Sequence, residues 1–381
     1  MSKRVFLKGV GIFPLLVCVS SMTLWGDVLS IDNPATVQRG DGAFMSTSAF
    51  IASDPVSVKE FFGDKWNGDY TPRNGTNLVM ASARSEIGGN YKGWHIGYVH
   101  RLETMIEASR DFVDLFDSIK HSEDLIVGRQ YDLNLKINGF QADGLHVAKS
   151  IPLYSGNDLN IRGGIGLSLL RGIRMQQGVI DGTATALAGK DYSYAGVVDY
   201  YYTSNYLYDL DLNLPTGYGF SPDIGVIGDW GNWHSDLVVN DLFGFMQWNN
   251  APYTNAIISS NTKHYDSNGY VQYSPTITGL ETTRKFTQHF DPKGFASLRY
   301  NSSVFSPFVE ASTTRGYLFP EGGVLVTLAN VPTIKVSYET FFHSYGLALT
   351  SHYGYIRFQT DKINPDKAST LSLAFGIHYA Y

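Results

Sequence analysis

Residues 371–381 read Leu371-Ser372-Leu373-Ala374-Phe375-Gly376-Ile377-His378-Tyr379-Ala380-Tyr381. Leu371, Leu373, Phe375, Ile377, Tyr379 and Tyr381 share one parity, and Ser372, Ala374, Gly376, His378 and Ala380 share the other. Successive side chains of a strand point to opposite faces. The stretch is therefore a strand with one bulky apolar face and one small or polar face. A lipid-facing strand around a filled or wet lumen requires that division. An edge strand of a soluble sandwich would share it.

The alternation recurs upstream. Ile334, Val336, Tyr338, Thr340 and Phe342 alternate with Thr333, Lys335, Ser337, Glu339 and Phe341. Val324 to Leu328 follows Glu321-Gly322-Gly323, which reads as a turn. Tyr345, Leu347 and Leu349 form a hairpin with Tyr355, Arg357 and Gln359 about His352-Tyr353-Gly354. Tyr91 to His100, Tyr131 to Asn138, Leu159 to Leu169, Tyr192 to Val197, Ile224 to Val239 and Phe295 to Ala311 continue the series. A lysine on a lipid-facing position costs about 2–4 kcal/mol at the bilayer midplane. Lys335, Ser337 and Glu339 are therefore expected to face a lumen, with Tyr338 and Phe342 toward lipid. His378 is expected on the lumen side of the last strand.

No run of about 18 apolar residues follows residue 26, so no transmembrane helix is expected. The remaining way through a bilayer is a closed barrel, in which every backbone N–H and C=O is paired between strands. The chain is read as all-β: a closed antiparallel transmembrane β-barrel of about fourteen strands, within roughly twelve to sixteen.

At the other end, Lys3, Arg4 and Lys8 precede an apolar stretch from Val10 to Leu24. That order is a secretory signal peptide over 1–26, with cleavage expected after Gly26 or near Ser20 or Ser21. A retained membrane anchor is the alternative. Cys18, the one cysteine, falls in the apolar stretch after Val17, so neither a disulfide nor a cysteine metal site is expected. Removing three basic residues takes the formal charge from −6 to −9.

Composition agrees with strands and tight turns. Charged residues are 17%, aromatic residues 14%, and there are 39 glycines without a three-residue period. That excludes a disordered chain and collagen. The acidic balance argues against nucleic acid as a partner.

Some segments break the pattern. Within Asp111 to Leu125, Phe112, Leu115, Phe116 and Ile119 have helical spacing and predict a short loop helix, a packed cap or a gating lid. Asn249 to Gly279 reads as a long polar loop that hides a strand near Tyr270 to Tyr273. Tyr200-Tyr201-Tyr202, Tyr206 and Tyr208 read as an interfacial girdle.

Chemical motifs are sparse. There is no H-E-x-x-H and no G-x-S-x-G. Gly163-Gly164-Ile165-Gly166 fails as a dinucleotide loop because Leu169 stands where its last glycine should be. Asp266-Ser267-Asn268-Gly269 reads as a hairpin turn rather than a calcium loop. His343, His352 and His378 read as separate lumen residues. No nucleophile is assembled with its base. No enzymatic activity, cofactor or metal is expected.

The C-terminal strand, ending on an aromatic residue, resembles the insertion signal of bacterial outer-membrane barrels. The resemblance implies that Leu373, Phe375, Ile377, Tyr379 and Tyr381 are read by the barrel-assembly machinery. It also implies an outer-membrane location with lipid as partner. Asn33-Pro34-Ala35, followed by Gly40, Gly42 and the alternating Phe44 to Ile51, is similar to the hatch of the FadL-like superfamily of outer-membrane fatty-acid transporters. Gly219 to Gly225, Asp236 to Gly244 and Trp248 resemble paired mid-barrel strands of that group. The resemblance implies a hatch over 27–43 that plugs a barrel over 44–381, and passive passage of small hydrophobic molecules. A barrel acting as scaffold or attachment partner for secreted proteins, a general porin, and a soluble exported β-protein stay open.

Overall fold

The computed structural model of the chain describes residues 28–36, 41–63, 66, 68–204, 215–265, 271–329 and 331–380. The signal-peptide segment, Tyr206, Tyr208, Asn268 and Tyr381 lie outside them. The strands are β1 (Gly42–Ser53), β2 (Thr76–Tyr91), β3 (Trp94–Ser109), β4 (Gln130–Ser155), β5 (Leu159–Ala186), β6 (Tyr192–Tyr202) and β7 (Thr216–Trp230). Next come β8 (Trp233–Asn240), β9 (Phe245–Ser259), β10 (Lys263–Tyr265), β11 (Val271–Tyr273), β12 (Ile277–His289), β13 (Lys293–Tyr300) and β14 (Phe305–Thr314). The chain ends with β15 (Tyr317–Val326), β16 (Thr333–Glu339), β17 (Ser344–Thr350), β18 (Gly354–Thr360) and β19 (Thr370–Ala380). Two short helices, α1 (Val58–Phe61) and α2 (Arg110–His121), lie in loops.

Every pairing in the wall is antiparallel, and β1 closes it, running from Gly42↔Ala380 to Ala52↔Thr370 on β19 while its other edge pairs β2. A sheet with no free edge leaves no unpaired backbone for lipid. Among the described residues no helix is long and apolar enough to cross a membrane.

One circuit of pairings, running through β5, β6, β9, β7, β8 and β13, holds 16 strands rather than about fourteen. The surplus has a local cause. β6 and β7 lie end to end against β5. β8 and β9 likewise lie end to end, facing β13 and β12. Asp241, Phe243 and Asn250 take left-handed backbone at the β8–β9 junction and just inside β9, and each interruption divides one long strand into two.

The wall is uneven in height. β5 has 28 residues and β4 has 26, whereas β16, β17 and β18 have 7 each. About 9–11 tilted residues cross a hydrocarbon layer, so β4 and β5 are longer than a crossing needs, and β4 runs past β3 at both of its ends.

The last strand divides by parity: Leu373 and Ile377 are exposed while Ser372 and Ala374 are buried. Val336, Leu347 and Phe358 lie opposite one another on β16, β17 and β18 and are each about half exposed. In a closed wall with a filled interior, that exposed face points outward, the side a transmembrane barrel turns to hydrocarbon. Leu347→Arg should therefore destabilise the folded barrel by about 2–4 kcal/mol. An unchanged urea midpoint for refolding into lipid vesicles would show that this face is not against hydrocarbon.

Several expectations need correction. Lys92 and Gly93, read as strand interior, form a two-residue hairpin turn with φ of 47° and 72°. Such mirror-image turns match strand twist, and the second position suits glycine. Glu321-Gly322-Gly323 is not a turn; it runs inside β15, opposite Glu310, Val309 and Phe308. Arg315 and Gly316 carry the left-handed turn instead. Asn249 to Gly279 is mostly β9, the β10–β11 hairpin and the start of β12; Pro252 and the left-handed Asn250 hide its strand character. Tyr200 and Tyr202 form no exposed girdle: both are buried and stacked on one another with ring centroids 4.7 Å apart. Phe342 faces the interior rather than lipid, because left-handed His343 ends the alternation of β16 in a tight turn.

Candidate functional site

The interior of the barrel is layered. An apolar layer joins Phe50, Leu78, Met80, Met105, Phe319 and Phe342 with Val28 and Leu29 of the N-terminal segment. A second apolar group, Val99, Phe140, Leu170, Met175, Met246 and Trp248, lies along β3, β4, β5 and β9, with Phe290 joining it from just after β12. Trp248 donates its indole N–H to Gln288, which in turn donates to Asn138, so the polar edge of the indole is satisfied.

The segment that follows Val28 and Leu29 is held by short-range chemistry legible in its sequence. Asn33 Oδ1 accepts from Ala35 N at 2.9 Å, and Thr36 N donates to Asn33 O, closing a 3-10 turn over Pro34–Thr36. Proline presets the first φ of that turn and needs no N–H partner there. The turn is pinned to the wall: Asn33 Nδ2 donates to Asp236, Ser150 Oγ donates to Ala35 O, and Asp32 and Asn240 exchange two hydrogen bonds. Ala35 is fully buried. Two wall glycines permit the approach. A Cβ on Gly164 would overlap Pro34 C and Ala35 N, and one on Gly225 would overlap Asn33 Oδ1. Within Gly163–Gly166, unproductive as a nucleotide motif, it is Gly164 on which Pro34-Ala35 rests.

Around that turn lies a charged layer. Arg101 donates to both oxygens of Asp241, at 2.9 and 2.7 Å, and to Glu103. Lys293 bridges Glu103 and Asp241. Glu86 meets Arg84, His95 and His146. On the opposite wall Lys335 pairs with Glu310 and Glu321, and Arg357 with Glu321. A cavity of about 300 Å³ opens against this layer, lined by Lys335, Glu310, Arg357 and His95 on its charged side and by Phe44 and Phe308 on its apolar side.

Lys335, Ser337 and Glu339 are buried on the interior face of β16. Glu339 accepts from Phe341 N, Phe342 N and Ser344 Oγ, so it holds a turn rather than facing open lumen. His378 lines the cavity, with its ring 5.8 Å from that of His352; His343 stands apart, against Tyr338. Leu373, Ile377 and Tyr379 are exposed and Phe375 is half-buried. Reading the sequence missed Asp32, Arg84, Glu86, His95, Arg101, His146, Asp223 and Asp241. A signal existed for some: Arg84-x-Glu86 and Arg101-x-Glu103 place opposite charges on one strand face. The cross-strand meetings had none.

The loop helix ends at His121, where Ser122 takes left-handed backbone. Its Phe112, Leu115 and Phe116 pack with Tyr131, Leu133 and Leu135 of β4. On its polar side Asp114 accepts from Tyr70, Arg110 and Arg129. Burial raises the Asp114 carboxyl, but those three hydrogen bonds outweigh it and hold the group below the ordinary carboxylate range. The stabilisation is thus complete above about pH 4 and is lost as pH falls through the lower folded value. Asp114→Asn should loosen α2 by about 1 kcal/mol and remove that acid-dependent loosening. Hydrogen exchange across α2 checks this; identical pH dependence in the variant would refute it.

No family model matches the chain, and no curated protein matches it. Solved structures similar to it include the P. putida toluene transporter TodX, at 10% identity and TM-score 0.44, over 95% of this chain and 96% of that one. The CymD monoaromatic hydrocarbon channel is similar at 9% identity and TM-score 0.31, over 95% and 94%.

Proposed function

We propose that the protein is a bacterial outer-membrane channel of FadL-like type that admits small hydrophobic molecules passively, with Val28–Thr36 as its plug. The observation that carries this is the apolar layer inside the wall, where Val28 and Leu29 pack with Phe50, Leu78, Phe319 and Phe342. A water-filled porin has a polar lumen; an apolar layer that a short segment of the same chain fills suits a hydrophobic guest. The pins on Asp32, Asn33 and Ala35 are polar and none of them is a strand pairing, so the segment can leave without unfolding strands. Lipid contacts the exposed face, and the barrel-assembly machinery reads Leu373, Phe375, Ile377, Tyr379 and Tyr381. The export signal is 1–26; the plug, expected over 27–43, stops short of Gly42, where β1 and the barrel begin.

The test pairs planar-bilayer conductance with accumulation of a radiolabelled hydrophobic compound by bacteria whose outer membrane carries the protein. Low conductance with faster accumulation is expected. A steady large conductance, or accumulation equal to that of cells without the protein, would overturn the proposal.

A further inference from the structure

Four side chains from separate parts of the chain meet in the charged layer. Asp32 precedes the 3-10 turn, Glu86 is on β2, His95 on β3 and His146 on β4; one ligand atom from each lies within 4.8 Å of the others. Glu86 Oε1 is 2.7 Å from His95 Nε2 and 2.9 Å from His146 Nδ1, and Asp32 Oδ2 is 4.0 Å from His146 Nδ1. Glu86, His95 and His146 are buried, His146 to 1% exposure.

The outward nitrogens carry the second observation. His95 Nδ1 is 2.9 Å from Asn90 Oδ1, an acceptor that keeps the proton on that nitrogen. His146 Nε2 has no hydrogen-bond partner among the described residues, and the Asp223 carboxylate lies 3.8 Å from it. Asn90 behind His95 fixes that ring with N–H outward and the lone pair inward, the usual support for metal-ligating histidines; Arg84, which can only donate, faces His146 Nδ1 and sets the same tautomer there, with the proton on Nε2. In that tautomer both inner nitrogens and Glu86 Oε1 are acceptors, and acceptors do not satisfy one another. Arg84 supplies donors here, 2.7 Å from Glu86 Oε2 and 2.9 Å from His146 Nδ1. Asp32, Glu86 and Asp223 bring three carboxylates to this cluster, within 3.7 Å of Arg84, 2.7 Å of Arg84 and 3.8 Å of His146 respectively. Imidazole with carboxylate is a donor set for zinc, copper or nickel, whereas calcium takes six or more oxygens.

We propose that Asp32, Glu86, His95 and His146 form a transition-metal site of zinc class that clamps the N-terminal segment to the barrel wall. Glu86 ligates through Oε1 while Oε2 stays on Arg84, and the Arg84–His146 contact gives way. Three ligands come from the wall and one from the segment, so metal binding favours the seated segment. Because three ligands stay on the wall when the segment leaves, metal raises the seated population by the ratio of its affinities for the two states, about tenfold or more if Asp32 contributes what its loss is expected to cost. The site goes beyond the transport proposal: metal can bind whatever the channel carries.

The experiment is a Co²⁺ titration of the detergent-purified protein, read by visible absorption, with Zn²⁺ competition. One equivalent of Co²⁺ should bind, displaced by Zn²⁺. His95→Gln with His146→Gln should abolish binding, Asp32→Asn should weaken it at least about tenfold, and Arg84→Gln should tighten it. Zn²⁺ should protect the N-terminal segment from protease in the unaltered protein and not in Asp32→Asn. Heat-modifiable gel migration verifies that each variant is a folded barrel, and the titration of unaltered protein stands apart from them. Absence of stoichiometric Co²⁺ binding there, undiminished affinity in the histidine pair or in Asp32→Asn, or no tightening in Arg84→Gln, would overturn the proposal.

Discussion

Asp241→Asn should lower the stability of the folded barrel by about 3–5 kcal/mol, the cost of breaking a buried ion pair from one side. Asp241 has no exposed surface and collects Arg101, Lys293 and Ser221. Without its charge, Glu103 alone balances two cations that stay buried. The choice of substitution matters because Asp241 has φ 58°. Asparagine tolerates that left-handed backbone, so the charge is removed without backbone strain, whereas Asp241→Ala adds roughly 1–2 kcal/mol for the conformation. Pairing Asp241→Asn with Arg101→Met should recover part of the loss, since the stranded charge is then gone. The readout is the urea midpoint of refolding into lipid vesicles. An unchanged midpoint would mean that water reaches this layer and screens it.

Gly164→Val, alone or with Gly225→Val, should unseat the N-terminal segment and raise planar-bilayer conductance. The new Cβ on Gly164 would overlap backbone atoms of Pro34 and Ala35, which have no rotamer to change. Overpacking of this kind costs about 1–3 kcal/mol, or roughly a 5- to 150-fold shift away from the seated state. Gly322→Ala is the control, because its Cβ would meet only Phe308 O at 3.9 Å; it should leave conductance unchanged. Equal conductance in Gly164→Val and the unaltered protein would show that the segment is not what closes the lumen.

Much of the barrel was legible because a strand in lipid obeys a rule of period two. Leu373 and Ile377 against Ser372 and Ala374 can be sorted without any partner strand. The helix at Phe112 to Ile119 was legible for the same reason, with a different period. Errors gathered where backbone conformation, not side-chain polarity, decides. Lys92-Gly93 and Arg315-Gly316 turn because their φ values are positive, and Glu321-Gly322-Gly323 does not turn despite its composition.

The sequence by itself determined the period-two strands with Leu, Ile and Tyr on one face, from which a closed antiparallel barrel was the expectation because hydrocarbon tolerates only paired backbone and apolar side chains; the pairing of β1 with β19 closes it. It also set the local turn at Asn33-Pro34-Ala35, since the asparagine, the proline and the small alanine act within four residues. Tertiary structure alone decided that this turn lands on Gly164 and Gly225, that Asp32 reaches Glu86, His95 and His146, and that Arg101 finds Asp241 140 residues away. Those meetings depend on the register and closure of strands far apart in the chain, and a shift of one residue would turn each side chain to the opposite face.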